Sequence, residues 1–393
     1  MPSPAADQAA LDARRVGRAL IKFISPNDVG MTGGHQKGYY LPKAIWKAFT
    51  PHPPKKGVNS DHRVEAIWPD GRVTRSTVKW YGRGTRSEYR LTGFNRERDF
   101  PFISSDCVGS LLVLIPQRLD RFLIYVLSLE DEIEDLQAAL GVEAVRGWAL
   151  FEPGVTSEVE GENECIERHF HTFAVQLRGF PPTLQFAIEA RAALEACVTR
   201  YGGLTADAQL LRCVEAEYEL FRLVERRLCE PDTVRDFASI DDFLLTAQTI
   251  LQRRKARAGR SLEHHVEYQL RRAEIPFEPR VEVEGTRPDI LIPGRREYLD
   301  SRYPDAKLFA IGIKTTCKDR WRQVLREAPR VRTKHILTMQ KGISPAQLEE
   351  MRVSEVTLVV PQGLHTDYPP ERRADLLSVA AFVDRIRSAL GLP

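Results

Sequence analysis

From Ser261 to Leu390 the chain alternates between short apolar runs and stretches of helical periodicity, and this alternation limits its fold more than any other feature. The strongest run, Leu308–Lys314, reads as an apolar strand, with further strand-like runs at Arg280–Val283, Ile290–Pro293, Ile336–Met339 and Val356–Pro361. Helical patterns fall between them: Ser261–Arg272 with Ser261 as its N-cap, Ala328–Arg332 reaching back toward Lys318, Pro345–Arg352, and Pro370–Leu390. The pattern predicts an α/β domain with a mixed sheet.

Upstream the pattern is different. Residues 17–150 read mainly as short strands, among them Ala19–Ile24, Arg63–Trp68, Thr77–Tyr81 and Ser110–Ile115, with Gly-Gly, Pro-Asp-Gly and Gly-x-Gly turns between them. A helix over Pro42–Phe49 starts at a proline, where the missing N–H costs nothing. Two more helices are predicted over Leu184–Arg200 and Ala206–Cys229 from apolar residues at i, i+3, i+4. A length of 393 residues, at about 100–200 per domain, argues for two domains. The expected division is a mostly β domain at 1–150, an acidic connection at 151–200 and a second domain at 201–393, giving α+β and α/β parts in one chain.

Several classes are excluded by composition. Hydrophobic content of 42% and charged content of 28% are ordinary for a globular chain. No apolar run approaches the ~18 residues of a membrane span, and MPSPAADQAALDARR has no signal-peptide core, so a cytoplasmic protein with no membrane partner is expected. The six cysteines (107, 165, 197, 213, 229, 317) form no C-x-x-C pair, which predicts reduced thiols rather than disulfides or a zinc site.

The net charge is only 57 − 54 = +3, but it is unevenly spread. Residues 71–98 carry eight basic side chains against two acids, whereas 130–167 carry twelve acids and one Arg. Basic character returns at Arg253–Arg260 and from Lys314 to Arg330, suggesting two polyanion-binding surfaces; solvated charged faces are the plainer alternative.

The residues suited to chemistry lie between Glu263 and Glu327. Pro288-Asp289 opens one strand, and Lys314 closes the next about 25 positions later. A carboxylate and a lysine at the ends of adjacent strands is the layout of a metal-dependent phosphodiesterase: the carboxylate holds Mg²⁺, and the lysine offsets charge at the phosphate or orients water. The usual pattern is P-D…(D/E)-x-K, but here the place two before Lys314 is Gly312. Glu327, thirteen residues beyond Lys314, can supply the second carboxylate, and Glu263 is a candidate outer carboxylate. A turn-starting Pro-Asp and a strand-capping Lys explain the same residues without chemistry. Directly downstream, Arg320 and Arg322 suit bidentate bonds to guanine O6/N7, and Asp319 can accept from cytosine N4; a helix N-terminus with a dipole-complementing Asp319 is the alternative.

Longer segments carry a resemblance. IKTTCKDRWRQVLREA (Ile313–Ala328), RKARAGRSLEHHVE (Arg254–Glu267), RPDILIP (Arg287–Pro293) and LVVPQGLHTDYPPERRADL (Leu358–Leu376) closely resemble EcoRII-type restriction endonucleases. SPNDVGMTGGHQKGYYLPK (Ser25–Lys43) and TRSEYRLTG (Thr85–Gly93) resemble that family's N-terminal effector domain. The similarity spans nearly the whole chain and is weakest around 130–200.

The resemblance implies a type IIE homodimer. It comprises a C-terminal PD-(D/E)XK nuclease domain and an N-terminal B3-like β-barrel that binds a further copy of the recognition site. That N-terminal domain blocks the catalytic cleft until effector DNA binds. The family's catalytic carboxylate, lysine and relocated glutamate fall on Asp289, Lys314 and Glu327, with Tyr298 and Lys318 also matching active-site positions. Effector-domain readers fall on His35, Tyr40, Arg86, Glu88 and Arg90. Two basic positions of that loop are Gly84 and Tyr89 here, and Arg83 is the neighbouring candidate to compensate. Implied too are Mg²⁺, double-stranded DNA engaged at two or more sites, and cleavage ahead of the first cytosine of CCWGG with the central pair flipped out. A cognate methyltransferase acts on the same site without a stable complex. The alternatives are a non-cleaving sequence-specific DNA-binding regulator and a structure- or modification-directed nuclease of the same superfamily.

Overall fold

The run LLVLI at 111–115 is apolar at every position because both faces of its strand are covered. The computed structural model describes residues 4–32, 37–84, 86–94, 100–144, 147–152, 162–318 and 320–392. The chain divides into two units, one comprising Met1–Val155, Gln340–Glu350 and Thr366–Arg373, the other Thr156–Met339, Met351–His365 and Ala374–Pro393.

In the first unit the chain runs α1 (Pro4–Val16), β1 (Ala19–Phe23), β2 (Tyr39–Leu41), α2 (Trp46–Phe49), β3 (Ser60–Ile67), β4 (Val73–Tyr81), β5 (Glu88–Thr92), β6 (Leu111–Arg118), β7 (Arg121–Leu127), α3 (Glu130–Leu140) and β8 (Trp148–Phe151). The strands form one curled sheet in the order β2-β5-β4-β3-β7-β6-β1-β8, with only β3 and β7 parallel among neighbours. Period-two alternation divides the apolar side chains. Leu20, Leu112 and Leu114 face one core with Trp68, Trp80 and Phe122; Ile21, Val113 and Ile115 face another with Ala9 and Ala13 of α1 and Ile133 and Leu136 of α3. Pro42 caps a short 3₁₀ turn leading into α2, so the helix expected over 42–49 is present in two parts.

The second unit contains α4 (Glu162–Gln176), α5 (Thr183–Cys197), α6 (Ala206–Thr233), α7 (Ile240–Arg272), β9 (Glu278–Pro279), β10 (Ile290–Ile292), α8 (Arg295–Leu299), β11 (Phe309–Lys314), α9 (Trp321–Val324) and β12 (Lys334–Thr338). After β12 the chain passes through α10 (Pro345–Val353), whose residues up to Glu350 belong to the first unit, and returns with β13 (Val356–Val359) and α11 (Val379–Leu390). The sheet order is β13-β12-β11-β10-β9, with the first three strands parallel and the last pairings antiparallel, so the sheet is mixed as expected.

Four expectations are corrected. Residues 151–200 are not a connection throughout: α4 and α5 pack Phe170, Phe186 and Ala190 against Leu220 and Phe221 of α6. The expected domain at 201–393 is not one block either, since residues 340–350 and 366–373 belong with the first unit, where Gln340 Nε2 donates to the Gly109 carbonyl at 3.2 Å. Ser261 does not cap a helix but lies buried inside α7, whose N-cap is Ser239, accepting from Asp242 N at 3.1 Å. The reduced-thiol expectation fails for one pair: antiparallel α4 and α5 bring Cys165 and Cys197 to a Cα–Cα distance of 5.6 Å, and they are joined as a disulfide. The other four cysteines are buried and form no disulfide. Among the described residues no helix is long and apolar enough to cross a membrane.

Candidate active site

Antiparallel pairing of Ile290 with Ile311 brings the start of β10 beside the end of β11. Asp289 Oδ2 thereby accepts from the Ile313 N–H at 2.7 Å and from Lys314 Nζ at 3.0 Å. Both donors converge on one oxygen, and among the described residues none reaches Oδ1. The Asp289 side chain is 15% exposed and that of Lys314 23%, so the pair, at the start of β10 and the end of β11, is partly open to solvent. Thr315 Oγ1, bonded to the Ala258 carbonyl of α7 at 3.2 Å, anchors the chain just past Lys314.

The second carboxylate cannot come from the ordinary place. A Cβ at Gly312 would stand 2.7 Å from Val324 Cγ2, because α9 packs down onto β11 there. The chain passes through α9 and returns Glu327 to the site instead. Lys334, buried at the start of β12, holds this return by donating to the carbonyls of Glu327 at 2.6 Å, Ala328 at 2.7 Å and Val331. Ala328 adopts φ +41°, which stops the helix expected over 328–332 and turns the chain. Glu327 Oε2 is buried without a hydrogen-bond partner. Burial, reinforced by the Asp289 charge, pushes the Glu327 carboxyl up to about 7; the attraction of Lys314 and Lys334 does not offset this.

One carboxylate with an open oxygen and another with a buried, unpartnered one fit an oxygen-loving divalent cation whose other ligands are water and phosphate. Among the described residues, no group of three His, Cys, Asp or Glu side chains gathers at one point.

The other expected residues are placed differently. Glu263 on α7 is buried and takes Arg260 Nη1 at 2.6 Å and Arg280 at 2.6 and 3.0 Å, so its carboxylate is occupied by two guanidinium groups. Tyr298 is buried, donates to Glu284 Oε2 at 2.5 Å and accepts from the Arg330 N–H at 3.1 Å; with its hydroxyl spent both ways it acts here as a structural tie. Burial pushes that hydroxyl up to about 12. Lys318 is buried, and Asp319 lies outside the described residues. Buried Trp321 anchors the segment; Arg320 precedes it as N-cap of α9, and the exposed Arg322 stacks on the Trp321 ring at 4.7 Å.

In the first unit, Tyr40 of β2 lies directly across from Arg90 of β5. Arg90 is buried, committed to Glu88 Oε1 at 2.9 Å and the Gly38 carbonyl at 3.2 Å. Arg83 and Arg86 are exposed, with Arg86 over the Tyr81 ring at 5.4 Å, while His35 lies outside the described residues. Gly84 sits at φ +64°, a conformation that favours glycine over a basic side chain. Tyr89 faces the core, 4.7 Å from the Trp80 ring, and donates to the His52 carbonyl at 2.5 Å.

Sequence reasoning missed Asp28 and Lys334. Asp28 is fully buried and gathers Lys22 Nζ at 2.5 Å, Ser25 N at 2.8 Å and Tyr40 N at 2.6 Å, fixing the strand that carries Tyr40. For Lys334 the available signal was a lysine leading a strand that is buried at every position.

Comparison with known proteins adds to this geometry. The family model for the N-terminal region of restriction endonuclease EcoRII matches residues 16–145, and that for the EcoRII C terminal matches 221–383. A type II restriction enzyme EcoRII from Escherichia coli is 33% identical over 391 residues, covering 92% of each chain. Among solved structures, metal-depleted Ecl18kI in complex with uncleaved, modified DNA aligns with 56% of this chain and 83% of that one, at 17% identity and a TM-score of 0.42. A restriction endonuclease PspGI–substrate DNA complex aligns with 59% and 94%, at 17% identity and the same TM-score of 0.42. With both regions matched in order and a third of positions identical across nearly the whole length, the chain belongs to the EcoRII family of type II restriction endonucleases, which are site-specific deoxyribonucleases.

Proposed function

We propose that this enzyme hydrolyses phosphodiester bonds of double-stranded DNA at a CCWGG-like site with Mg²⁺, acting as a cytoplasmic homodimer held inactive until its N-terminal domain binds a second copy of the site. The observation that carries the reading is the meeting of three groups. Lys314 Nζ lies 3.0 Å from Asp289 Oδ2, and the Glu327 carboxyl, with a buried unpartnered oxygen, feels both charges.

Asp289 and Glu327 are the residues to hold the cation. Bound there, Mg²⁺ supplies Lewis-acid polarisation of the phosphate and a lowered pKa for water. Lys314, held at the strand end by Asp289, directs its ammonium toward the phosphate and offsets charge as water adds and a P–O bond to the sugar breaks. Low exposure strengthens each of these interactions relative to bulk water. The related enzyme is named a type II restriction enzyme, and the similar solved structures are DNA complexes, which supports duplex DNA as partner.

Arg320 and Arg322, which flank Trp321 at the start of α9, are the proposed guanine readers, with Asp319 and Lys318 adjacent in sequence. Arg320→Ala is expected to weaken discrimination at one guanine by roughly 1–3 kcal/mol. Competition binding with single-base variants measures this; a loss of affinity equal for all sequences assigns Arg320 to a phosphate instead.

Tyr40, Arg83, Arg86, Glu88 and Arg90 are the proposed effector-site residues, with Arg90 orienting Glu88 and the Gly38 turn rather than reaching a base itself. Removing residues 1–160, a cut that spares α4 and α5, is expected to raise cleavage of single-site DNA at least ~10-fold, equivalent to about 1.4 kcal/mol of relieved inhibition. A folded fragment that stays inert contradicts autoinhibition.

The test of specificity is incubation with unmethylated plasmid carrying several CCWGG sites, with Mg²⁺ or EDTA, followed by sequencing of the ends. Discrete Mg²⁺-dependent cuts at those sites support the reading. An intact plasmid that is still bound supports the non-cleaving regulator.

A further inference from the structure

Glu263 presents a problem that the catalytic groups do not solve. A carboxylate only 7% exposed, beside a phosphodiesterase site, is held by two guanidinium groups whose own side chains are 31% (Arg260) and 42% (Arg280) exposed. Buried carboxylates need a cationic partner, but one guanidinium satisfies that need. The second, Arg280, is the one nearest the chemistry. Its backbone N–H donates to the Asp289 carbonyl at 3.0 Å, its guanidinium feels the Asp289 charge, and its carbonyl accepts from Arg287 Nε at 2.6 Å. The backbone there turns through φ +50° directly after β9.

We propose that Arg280 is a DNA-phosphate-binding residue, parked on Glu263 in the free protein and transferred to the backbone phosphate beside the cleaved bond when DNA enters. The inference rests on the assignment of Asp289, Lys314 and Glu327 as the cleavage site. Arg280 is bonded through its backbone to Asp289, so a phosphate held at that carboxylate arrives beside this residue. The phosphate offers the same bidentate geometry as the carboxylate it replaces. Arg260, one turn from Glu263 on α7, stays behind as the carboxylate's counter-ion, so Glu263 is not left buried and unpaired. Glu263 therefore acts as a competitor that keeps Arg280 aligned but unavailable until a polyanion arrives.

The experiment is metal-free binding by the full-length protein to a duplex bearing CCAGG, with 2-aminopurine immediately 5′ of the first cytosine, so that occupancy at the cut position is read. Wild type, Arg280→Gln, Arg280→Lys, Glu263→Gln and the Glu263→Gln/Arg280→Gln double variant are titrated across salt, with folding checked by circular dichroism. Arg280→Gln is expected to weaken binding about 10-fold and to lower the slope of log K against log salt by about 0.9, the loss of one phosphate contact. Arg280→Lys is expected to restore the slope and part of the affinity. Glu263→Gln is expected to tighten binding severalfold in wild type and to change nothing in the Arg280→Gln background. Wild-type slope and affinity in Arg280→Gln overturn the proposal, as does an affinity loss with unchanged slope and no recovery in Arg280→Lys. Wild type is assayed for Mg²⁺-dependent cleavage in parallel: failure there removes the cleavage-site assignment itself, whereas cleavage with a silent Arg280 removes only this inference.

Discussion

Asp289→Ala and Lys314→Ala are each expected to lower single-turnover cleavage at least ~10³-fold while leaving metal-free binding to the recognition duplex close to wild type. The two side chains share one short contact at the ends of β10 and β11, and neither lies in the hydrophobic core of the unit. Losing either leaves a partly exposed charge beside water, a modest cost compared with that of a buried unpaired one. The backbone pairing of Ile290, Leu291 and Ile292 with Ile311, Ala310 and Phe309 still sets the sheet register, although Asp289→Ala also removes the acceptor of the Ile313 N–H. Rapid-quench cleavage and equilibrium binding on the same preparations separate the two effects. Variants that fail to fold would make the pair structural.

Glu327→Gln is expected to remove cleavage by a similar factor and, unlike the first two, to stabilise the metal-free protein at alkaline pH. The folded carboxyl, at about 7, lies above its ordinary value of 4.5 because burial and Asp289 disfavour its charge. A group raised in this way contributes stability that is fully present below about 4.5 and is lost as pH rises through about 7. In EDTA the wild-type melting temperature should therefore fall as pH rises from 5 to 8. Glutamine carries no charge to desolvate, so the variant should lose most of that slope and melt higher than wild type at pH 8. Scanning calorimetry across this range is the check, and parallel slopes for the two proteins contradict the buried-charge account. Added Mg²⁺ should raise the melting temperature of wild type at pH 8 and not that of Glu327→Gln, since a cation binding the folded state shifts the equilibrium toward it.

How far the sequence could be read depended on whether local pattern or tertiary packing placed a residue. β11 and the Asp289–Lys314 pair were legible because an apolar run and a strand-end spacing are local properties. Glu327 was legible as a possible second carboxylate because Gly312 stands in the ordinary place, but the packing of Val324 against Gly312 was not, since that contact exists only once α9 folds onto β11. The acidic stretch concealed α3, whose Ile133, Leu136 and Leu140 form a buried stripe among five acidic residues. It likewise concealed α4, and with it the reach from Cys165 to Cys197, since the two residues meet only in the helical hairpin. Short strands such as β2 and β8 have too few residues to show alternation and are specified by their neighbours. Glu263 and Tyr298 were legible as residues near the site but not in role, because Arg280 and Glu284, which occupy them, carry no sequence pattern linking them to those partners.

The central claim is that Asp289 and Glu327 together hold the divalent cation that Lys314 works beside. Mn²⁺ binding to the complex with an uncleavable phosphorothioate duplex, followed by electron paramagnetic resonance, tests it without requiring turnover. Wild type and Lys314→Ala should both take up Mn²⁺ in the DNA complex, while Asp289→Ala and Glu327→Gln should each lose it by at least ~10-fold in affinity, the change that follows loss of a coordinating group. Unchanged Mn²⁺ uptake in Asp289→Ala or in Glu327→Gln would place the cation elsewhere and contradict the account.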